Sequence, residues 1–482
     1  MSHTLPQRIR DPVHNLIEFG ITNDDDQRQL EGTLWRVVQT RPFQRLRRIR
    51  QLGFSELVFP GATHTRFAHS LGVFHTARLI VGAVRRKVNG FDAHKARVAQ
   101  AAALVHDVGH GMFSHAFERL GEHFEIPMAR HETVSDLLIR DDEIKGVLST
   151  LGKSFAEEVA ELIKDEQPRS LYASIVSSQF DADRLDYMQR DRMMTGVQSS
   201  DVDAGWLIAN LEVGNINNGS EDERTGTVET LILGHKAVQT AESYIVSILH
   251  LYQNVYGHKT TRGAETLFLA LMCQVMQLRR DGCGAATGLP ETHPILRFIV
   301  DPAKIEHVLA LDDTVFWGAL PQLTEAADKT VSALAQRMLD RKLPACIDIR
   351  RRAEEALPPP AKEEPAARKA RLARIKLICG NVVSALEERE SEIPVARRTI
   401  IVDRYERSPY RRFDSGRTPM NQIHIRHGKA VRDMADLSAV VAGAEPFEIC
   451  RAYDFSGDSS GRTMVGNIIR TEIDREARDG NP

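Results

Sequence analysis

The apolar segment formed by residues 101–105 leads directly into the pair His106 and Asp107. A run of this kind at helical spacing predicts a buried helix end. Buried imidazole and carboxylate groups need partners, which are either other polar groups or a cation. The pair therefore predicts a hydrogen-bonded core network or a metal site, and other segments of the chain distinguish the two.

Two further segments supply side chains of the same kind. His69 lies on a predicted helix whose apolar residues are spaced for packing against a neighbour. Asp183 shares one face of a third predicted helix with Tyr187 and Asp191. Three helices from distant parts of a chain can enclose an ion and still leave positions open for water and substrate. We therefore predict a divalent metal site, and its ligands are His69, His106, Asp107 and Asp183.

The charge balance of the chain limits its partners. The 482 residues include 63 Lys and Arg against 66 Asp and Glu, which gives a formal net charge of -3. Such a chain lacks the excess positive charge that holds a protein on nucleic acid by counterion release. Nucleic acid is therefore not indicated as a partner, although a local basic site is compatible with these counts.

The cysteines and the apolar runs indicate the compartment. The 5 cysteines are odd in number and form no C-x-x-C pair, which argues against a disulfide framework and against a zinc ribbon. No run approaches the roughly 18 apolar residues needed to span a bilayer, and residues 1–11 lack the apolar core of a signal peptide. We therefore expect a cytoplasmic protein without a membrane partner.

The pattern along the chain predicts three parts. Residues 1–350 are mainly of helical spacing and predict a helical catalytic domain, with the metal-site core at about 40–200. Residues 351–375 contain three consecutive prolines and many charges, which predicts an exposed linker. Residues 376–482 contain short β-branched segments separated by turns. The expected fold class is mainly α, with a smaller α+β C-terminal lobe.

The motifs occur in an order that resembles the HD superfamily and, within it, the deoxynucleoside-triphosphate triphosphohydrolases. The resemblance extends over residues 9–260 and more loosely to 311–313. The segments that carry it are D-P-V-H at 11–14, F-Q-R-L-R at 43–47, Q-L-G at 51–53, F-P-G-A-T-H-T-R-F-A-H-S-L-G-V at 59–73, H-D-V-G-H-G-M-F-S-H at 106–115, H-E at 131–132, D-A-D-R-L-D-Y-M-Q-R-D at 181–191 and Y-G-H-K at 256–259. The resemblance implies an HD-domain helical core.

The resemblance implies hydrolysis at the α-phosphorus of a deoxynucleoside triphosphate, with release of deoxynucleoside and inorganic triphosphate. The residues fit this chemistry independently, because a divalent ion lowers the pKa of a bound water toward roughly 7 and polarises a phosphoryl oxygen. The implied ion is Mn, Fe, Ni, Co or Zn at the HD site, with Mg on the substrate phosphates. A homo-oligomer, either a dimer or a tetramer, is also implied.

Four residues are candidates for proton transfer to the departing sugar oxygen. His110, His115 and His131 are imidazoles, whose ordinary pKa lies near the working pH of most enzymes. We favour His115 as the acid, and the resemblance implies that Glu118 orients His115 or His131. The alternative for His110 and His115 is support of the metal ligands through hydrogen bonds.

Basic and aromatic residues near these motifs are candidates for binding the substrate. Arg66 suits bidentate binding of phosphate oxygens, with an ordinary surface ion pair as the alternative. The resemblance implies that an aromatic ring packed against the 2′ carbon excludes ribose, with plain core aromatics as the alternative. The candidates for the phosphates are Arg66, Arg184 and Lys259; those for the 3′-hydroxyl are Gln51 and Asp191; those for the sugar are Tyr187 and Tyr256.

A regulatory nucleotide site is a further implication of the resemblance. In relatives regulated by nucleotides, the D-P-V-H loop and the basic segment at 41–50 form an activator pocket between subunits. The corresponding residues here are Asp11, Val13, Gln44 and Arg47. Gln39 stands where regulated vertebrate relatives carry an Asp that reads guanine, so the resemblance does not extend to activation by GTP. The structural alternative for the basic segment is a solvated helix face.

Two other functions are compatible with these motifs. The first is an HD phosphohydrolase that retains the metal site but acts on another ester, such as a nucleotide monophosphate, a cyclic nucleotide or a nucleic-acid end. A catalytically idle nucleotide or nucleic-acid sensor retains the helical scaffold and the basic segment at 41–50 without turnover. The intact set of four ligands argues against the sensor.

Overall fold

The computed structural model describes residues 6–141, 143–164, 168–217, 226–411 and 419–479, and within these ranges it contains 21 α-helices and 9 β-strands. The helices are α1 (Asp25–Val38), α2 (Arg41–Arg45), α3 (Arg66–Arg85), α4 (Ala93–Val105), α5 (His115–His123), α6 (His131–Asp141), α7 (Glu143–Leu148), α8 (Phe155–Lys164), α9 (Ala182–Thr195), α10 (Ala204–Ala209), α11 (Val238–Leu251), α12 (Lys259–Arg280), α13 (Pro294–Val300), α14 (Ile305–Leu309), α15 (Asp313–Thr324), α16 (Lys329–Leu339), α17 (Ile349–Ala356), α18 (Pro365–Glu390), α19 (Met434–Leu437), α20 (Ala439–Ala442) and α21 (Ser460–Asp479). The strands are β1 (Gln7–Asp11), β2 (Asn15–Phe19), β3 (Leu211–Asn217), β4 (Thr227–Leu233), β5 (Ala345–Asp348), β6 (Ile400–Arg407), β7 (His424–His427), β8 (Ala430–Asp433) and β9 (Phe447–Asp454). The predicted fold class, mainly α with a smaller α+β C-terminal region, is confirmed.

The chain forms two compact units, and neither is continuous in sequence. Unit 1 comprises Met1–Asn254, Asp301–Phe316 and Ser408–Glu445, and unit 2 comprises Val255–Val300, Trp317–Arg407 and Pro446–Pro482. The domain boundaries predicted from the sequence remain a prediction, and the compact units divide the chain at other positions. The segment 408–445 belongs to unit 1 although it is close to the C-terminus in sequence. The reason is that its strand β7 pairs in parallel with β4, which lies far upstream in the sequence.

Helix α3 carries the first predicted metal ligand and packs against both α4 and α9. By length and hydropathy α3 resembles a membrane span, but 72% of its most apolar window is buried inside the protein. It is therefore a core helix. Its Gly72 allows the close approach of α9, because a Cβ at this position would lie 1.9 Å from Asp186 Oδ1.

Two sheets accompany the helices of unit 1. Strands β1 and β2 form an antiparallel hairpin whose turn ends at Asn15, with a φ of 59°, a conformation that Asn tolerates better than most residues. The second sheet has the order β3-β4-β7-β8. The hairpin matters for the site, because the turn between its strands contains the D-P-V-H segment.

Unit 2 contains the three-stranded antiparallel sheet β5-β9-β6. Helix α18 packs against α17, α21 and β6. The apolar cluster beneath these elements includes Ile375, Val382 and Val465. The predicted linker contains more helix than expected, since α17 continues to Ala356 and α18 begins at Pro365. Proline is tolerated at this first helical position, because its missing N–H would have no partner within the helix.

Candidate metal and catalytic centre

The four predicted metal ligands lie on three helical segments of unit 1. His69 lies in the first turn of α3, His106 directly follows α4, and Asp107 comes next. Asp183 lies in the first turn of α9, two residues after the N-cap residue Asp181. The positive end of the helix dipole therefore favours the ionised form of the Asp183 carboxylate. We call His69, His106, Asp107 and Asp183 the metal cluster.

The side chains of the metal cluster converge. His69 Nε2 lies 2.9 Å from Asp183 Oδ1 and 3.6 Å from Asp107 Oδ2. His106 Nε2 lies 3.4 Å from Asp107 Oδ1 and 3.7 Å from Asp183 Oδ1. One ligand atom each from His69, His106 and Asp183 lies within 4.8 Å of the other two. The Asp183 side chain is 35% exposed, so the cluster is reached from solvent on that side.

The two ring nitrogens that face the carboxylates are buried without a hydrogen bond. Both His69 Nε2 and His106 Nε2 lack one, although the first lies close to Asp183. The other nitrogens are engaged: His69 Nδ1 donates to Asp186 Oδ2 at 2.8 Å and His106 Nδ1 to Ala103 O at 3.0 Å. With the protons on Nδ1, the Nε2 lone pairs of both rings would be directed at one point, which fits a cation that replaces any Nε2 proton and is held by imidazole and carboxylate.

The electrostatic environment of the metal cluster favours positive charge at the position where its four side chains converge. Burial lowers the pKa of His69, but Asp183 and Asp186 outweigh it and raise the pKa to about 10. Burial raises the pKa of Asp107, but Arg66 and the neighbouring imidazoles hold it well below its ordinary value. Two ionised carboxylates beside two imidazoles therefore attract either protons or a metal ion, and the two compete.

Asp186 supports the metal cluster from beneath. It is fully buried, and its two oxygens accept hydrogen bonds from His69 Nδ1 at 2.8 Å and from His14 Nε2 at 2.7 Å. Arg190 donates to both Asp186 oxygens at 2.9 Å and also to Asp11 at 2.8 Å. Since an ionised carboxylate only accepts, Asp186 fixes the tautomer and the ring orientation of His69.

Arg66 is buried and bonded within the site, so it is not a surface ion pair. Its Nη1 donates to Asp107 Oδ2, and its Nε donates to Ser114 Oγ at 2.7 Å. Only 4% of the residue is exposed. The guanidinium therefore holds a predicted ligand in place, and its predicted contact with phosphate stays a prediction.

A second group of residues lies beside the metal cluster, and we call His110, His115, Glu118 and His131 the proton cluster. Glu118 Oε2 accepts from His115 Nδ1 at 2.6 Å, and Glu118 Oε1 accepts from His131 Nδ1. The rings of His110 and His131 stack at 3.8 Å. His110 Nε2 lies 3.2 Å from Asp107 Oδ1, so the two clusters meet at this pair.

The members of the proton cluster differ in exposure and in charge. The His115 side chain is 74% exposed, whereas that of His110 is 2% exposed. Burial, together with Arg66 and His131, holds the pKa of His110 well below its ordinary value, so His110 is neutral. Burial raises the pKa of Glu118, but its bonds to His115 and His131 outweigh this effect and keep the carboxyl ionised. His115 is thus an exposed imidazole whose Nδ1 is hydrogen-bonded to the Glu118 carboxylate.

Gln51 and Asp191, the candidates for the 3′-hydroxyl, both contact His64. Gln51 N donates to His64 O at 3.1 Å, and His64 Nε2 lies 2.9 Å from Asp191 Oδ1. Gln51 Oε1 is buried without a hydrogen bond partner. A buried acceptor of this kind suits a ligand hydroxyl group.

Arg184 and Tyr187, two further substrate candidates, lie on α9 beside Asp183. Arg184 Nε donates to Ser178 O at 3.0 Å. Burial raises the pKa of Tyr187 well above its ordinary value, so the phenol stays neutral.

Tyr256 and Lys259, the remaining substrate candidates, belong to unit 2. Tyr256 ends a short π-helical segment, and Lys259 begins α12. The Lys259 carbonyl accepts a hydrogen bond from Tyr453 OH at 2.8 Å. Their predicted roles therefore stay predictions.

The four candidate regulatory residues form two separate groups of contacts. Asp11 Oδ1 accepts from Val13 N at 2.9 Å within the hairpin turn, while its other oxygen accepts from Arg190. Gln44 Oε1 accepts from Arg47 Nε at 2.9 Å. The Arg47 guanidinium also stacks on the Phe67 ring, at 3.5 Å from its centroid. All of these side chains except Val13 are thus engaged in contacts within this chain.

Sequence analysis missed three residues that the structure places at or behind the site. Asp186 follows Asp183 by three positions, so helical periodicity was a signal for its shared face. Ser114, which contacts Arg66, lies inside the recognised H-D motif segment. Asp313 lies in the segment 311–313, to which the resemblance extends loosely, but its partners Arg50 and Phe113 are distant in the sequence, so no local pattern predicts these contacts.

Comparison with known proteins gives four findings. The family model described as HD domain matches residues 66–191. Uncharacterized protein YwfO from Bacillus subtilis is 31% identical over 338 residues, which cover 70% of this chain and 70% of that protein. The deoxynucleoside triphosphate triphosphohydrolase SAMHD1 from Homo sapiens is 34% identical over 227 residues, which cover 40% of this chain and 34% of SAMHD1. A phosphohydrolase crystal structure from Bacteroides thetaiotaomicron shares the fold, with a TM-score of 0.67, 24% identity, and coverage of 93% of this chain and 99% of that one.

The matched HD segment runs from the start of α3 into α9. It contains the whole metal cluster and the whole proton cluster. An HD domain implies a divalent metal, and the His and Asp groups of this structure are able to bind one. The chain therefore belongs to the HD-domain family of metal-dependent phosphohydrolases, and within that family it resembles the deoxynucleoside triphosphate triphosphohydrolases.

Proposed function

We propose that the protein hydrolyses deoxynucleoside triphosphates to deoxynucleoside and inorganic triphosphate. The observation that carries the proposal is the convergence of two imidazole nitrogens without hydrogen bonds and two carboxylates beside an exposed His115. Similarity to the SAMHD1 enzymes supports the same reaction, although the match covers 34% of the human protein. The proposal therefore rests on the shared catalytic segment.

The four residues of the metal cluster would hold a divalent ion. Such an ion would supply Lewis acidity for a phosphoryl oxygen and would lower the pKa of a bound water. Asp186 keeps the His69 lone pair directed at the ion through the bond to Nδ1. Arg66 holds Asp107 in place and adds positive charge next to the position of the phosphates.

The proton cluster supplies the proton that the leaving group needs. Water forms a bond to the α-phosphorus and releases one proton to solvent, while the bond between this phosphorus and the sugar O5′ breaks and its electron pair goes to O5′. His115 donates its Nε2 proton to O5′, while Glu118 stabilises the imidazolium through Nδ1. His110 stays neutral and fixes the positions of its two neighbours, because its Nε2 contacts Asp107 and its ring stacks on His131.

The remaining substrate contacts are part of the proposal. Arg66, Arg184 and Lys259 bind the polyphosphate, and Gln51 and Asp191 bind the 3′-hydroxyl. Tyr187 and Tyr256 pack against the sugar and exclude a 2′-hydroxyl. The buried Gln51 Oε1 without a partner supports the hydroxyl contact most directly.

Nucleotide regulation and a dimeric or tetrameric assembly also remain proposals. A nucleotide that binds at Asp11 has to replace the bonds that Asp11 now makes to Val13 and Arg190. Light scattering on a sizing column, with and without each nucleotide, measures the assembly directly. A mass that changes with nucleotide supports regulation, and an unchanged monomeric mass contradicts both proposals.

Product identification tests the proposed reaction. Purified protein is incubated with Mn²⁺ and each deoxy- or ribonucleoside triphosphate in ¹⁸O-labelled water, and the products are resolved by chromatography and mass spectrometry. We expect unlabelled deoxynucleoside and labelled triphosphate, because water attacks phosphorus. Pyrophosphate, single phosphate, or label in the nucleoside contradicts the proposal. His106→Ala should abolish the products. His94→Ala should not, because His94 is an exposed histidine at the start of α4, the helix that His106 follows.

A further inference from the structure

The turn that connects the metal cluster to His115 has an unusual backbone. Phe113 and Ser114 have φ values of 53° and 55°, although neither is glycine. A bulky aromatic residue at positive φ is costly and persists only where its surroundings hold it there. Something outside the turn must therefore fix its conformation.

Asp313 holds this turn through its two carboxylate oxygens. Oδ1 accepts from Phe113 N at 2.7 Å, and Oδ2 accepts from Arg50 N at 2.7 Å. Asp313 is 3% exposed and is the first residue of α15. One buried carboxylate thus ties the turn to the segment that precedes Gln51.

Aromatic packing confines the same turn. The Phe113 ring stacks on Phe54 with centroids 4.0 Å apart and meets Phe316 edge-on at 5.2 Å. These rings fix the side chain of Phe113, whereas Asp313 fixes its peptide N–H. The two kinds of contact are separate, so the carboxylate can be changed while the ring packing is retained.

The orientation of the turn determines where the proton cluster lies. Ser114 is the N-cap residue of α5, and His115 is the first residue of that helix. Ser114 Oγ accepts from Arg66 Nε at 2.7 Å and donates to Arg50 O at 3.3 Å. A rotation of the Phe113 peptide would therefore displace His115 and the Arg66 contact together.

We propose that Asp313 is a positioning residue for the hydrolysis: it holds the Phe113–Ser114 turn so that His115 faces the metal cluster. This inference rests on the proposed function of His115 as the acid. Both oxygens of Asp313 accept hydrogen bonds, so the ionised carboxylate is the form that holds both segments. The charged groups that face Asp313 are Arg45, Arg50 and Asp312.

Burial opposes the ionised form of this carboxylate. Burial raises the pKa of Asp313 to about 7, even though the Arg50 and Phe113 N–H groups favour ionisation. Asn at this position keeps one acceptor oxygen, but its NH2 group donates and cannot accept the second N–H. Either Phe113 or Arg50 therefore loses its partner in Asp313→Asn.

The test compares full-length Asp313→Asn with wild type and with Asp328→Asn as a control. Asp328 is likewise an aspartate at a helix N-terminus, where its Oδ1 accepts from Val331 N at 2.9 Å. Steady-state kinetics with deoxynucleoside triphosphates, bound metal and amide hydrogen exchange are measured. We expect Asp313→Asn to lower kcat about 100-fold with KM and bound metal unchanged, since a displacement near 1 Å costs this much. Exchange should rise only in segments 48–52 and 110–118.

Two results would overturn the inference. One is a kcat for Asp313→Asn within about twofold of wild type, well below the loss expected for a misplaced acid. The other is faster exchange throughout unit 1 with loss of metal, which marks a purely structural role. Failure of the proposed function is a separate result, in which wild type releases no triphosphate while exchange still reports the Asp313 contact.

Discussion

The metal cluster and the proton cluster are built from the same residue types and differ in how their polar atoms are satisfied. In the metal cluster, His69 Nε2 and His106 Nε2 are buried without a hydrogen bond. In the proton cluster, the Nδ1 atoms of His115 and His131 both donate to Glu118. The first arrangement suits an added cation, whereas in the second Glu118 joins His115 and His131, and only His110 Nδ1 is buried without a hydrogen bond. The partners of the His115 and His131 ring nitrogens therefore distinguish these two residues from His69 and His106, which residue type alone does not.

The largest expected effect is the removal of a metal ligand. His106→Ala or Asp107→Ala should lose the bound ion and lower the rate by about 1,000-fold or more, because metal chemistry supplies several kcal/mol of transition-state stabilisation. Elemental analysis and the triphosphate assay measure both effects, with His94→Ala as the matched control. Full metal content in both variants would remove the distinction between the clusters.

Loss of the carboxylate in the proton cluster should come next. Glu118→Gln no longer stabilises the His115 imidazolium, so we expect kcat to fall about 100-fold, which is within the range for general acid catalysis. KM and metal content should not change, because Glu118 contacts neither predicted ligands nor substrate. A variant that releases its metal would place Glu118 in the metal cluster instead.

The carboxylate beneath His69 should affect metal binding more than chemistry. Asp186→Asn cannot accept from both His69 and Arg190 in the same way, and loss of such a partner costs about 10–100-fold in metal affinity. Titration with Mn²⁺ measures this, and activity should return at high metal concentration. An affinity equal to that of wild type would show that Asp186 does not orient His69.

The three helices associated with the metal cluster were predicted from the sequence, whereas the contacts behind the two clusters were not. The apolar run before His106 and the helical spacing around Asp183 are local patterns, so each segment could be interpreted by itself. Asp313 lies 200 positions from Phe113, and their hydrogen bond depends on tertiary structure that no local pattern specifies. The positive φ of Phe113 is likewise imposed by its surroundings.

The two-unit organisation shows the same limit. The sequence predicts residues 376–482 as one C-terminal lobe, but the segment 408–445 belongs to unit 1. Its strand β7 pairs with β4 at Ile425 and Leu233. Strand periodicity predicts that β7 forms, whereas its partner is determined by packing and connectivity.

The smallest expected effect is a change of stability with pH. The pKa of Glu118 is depressed in the folded protein relative to its ordinary value of 4.5, so its bonds stabilise the fold fully above that pH. This stabilisation is lost as the pH falls from 4.5 toward the depressed value. The unfolding free energy of wild type should exceed that of Glu118→Gln by about 1 kcal/mol at pH 7, with a smaller difference at pH 4. A difference that grows on acidification would contradict the assignment.

Anomalous diffraction from crystals soaked in Mn²⁺ tests the central claim most directly. The account predicts one strong peak within coordination distance of His69 Nε2, His106 Nε2 and the carboxylates of Asp107 and Asp183. A map without a peak at this point, in which the four side chains turn away from one another, would contradict it.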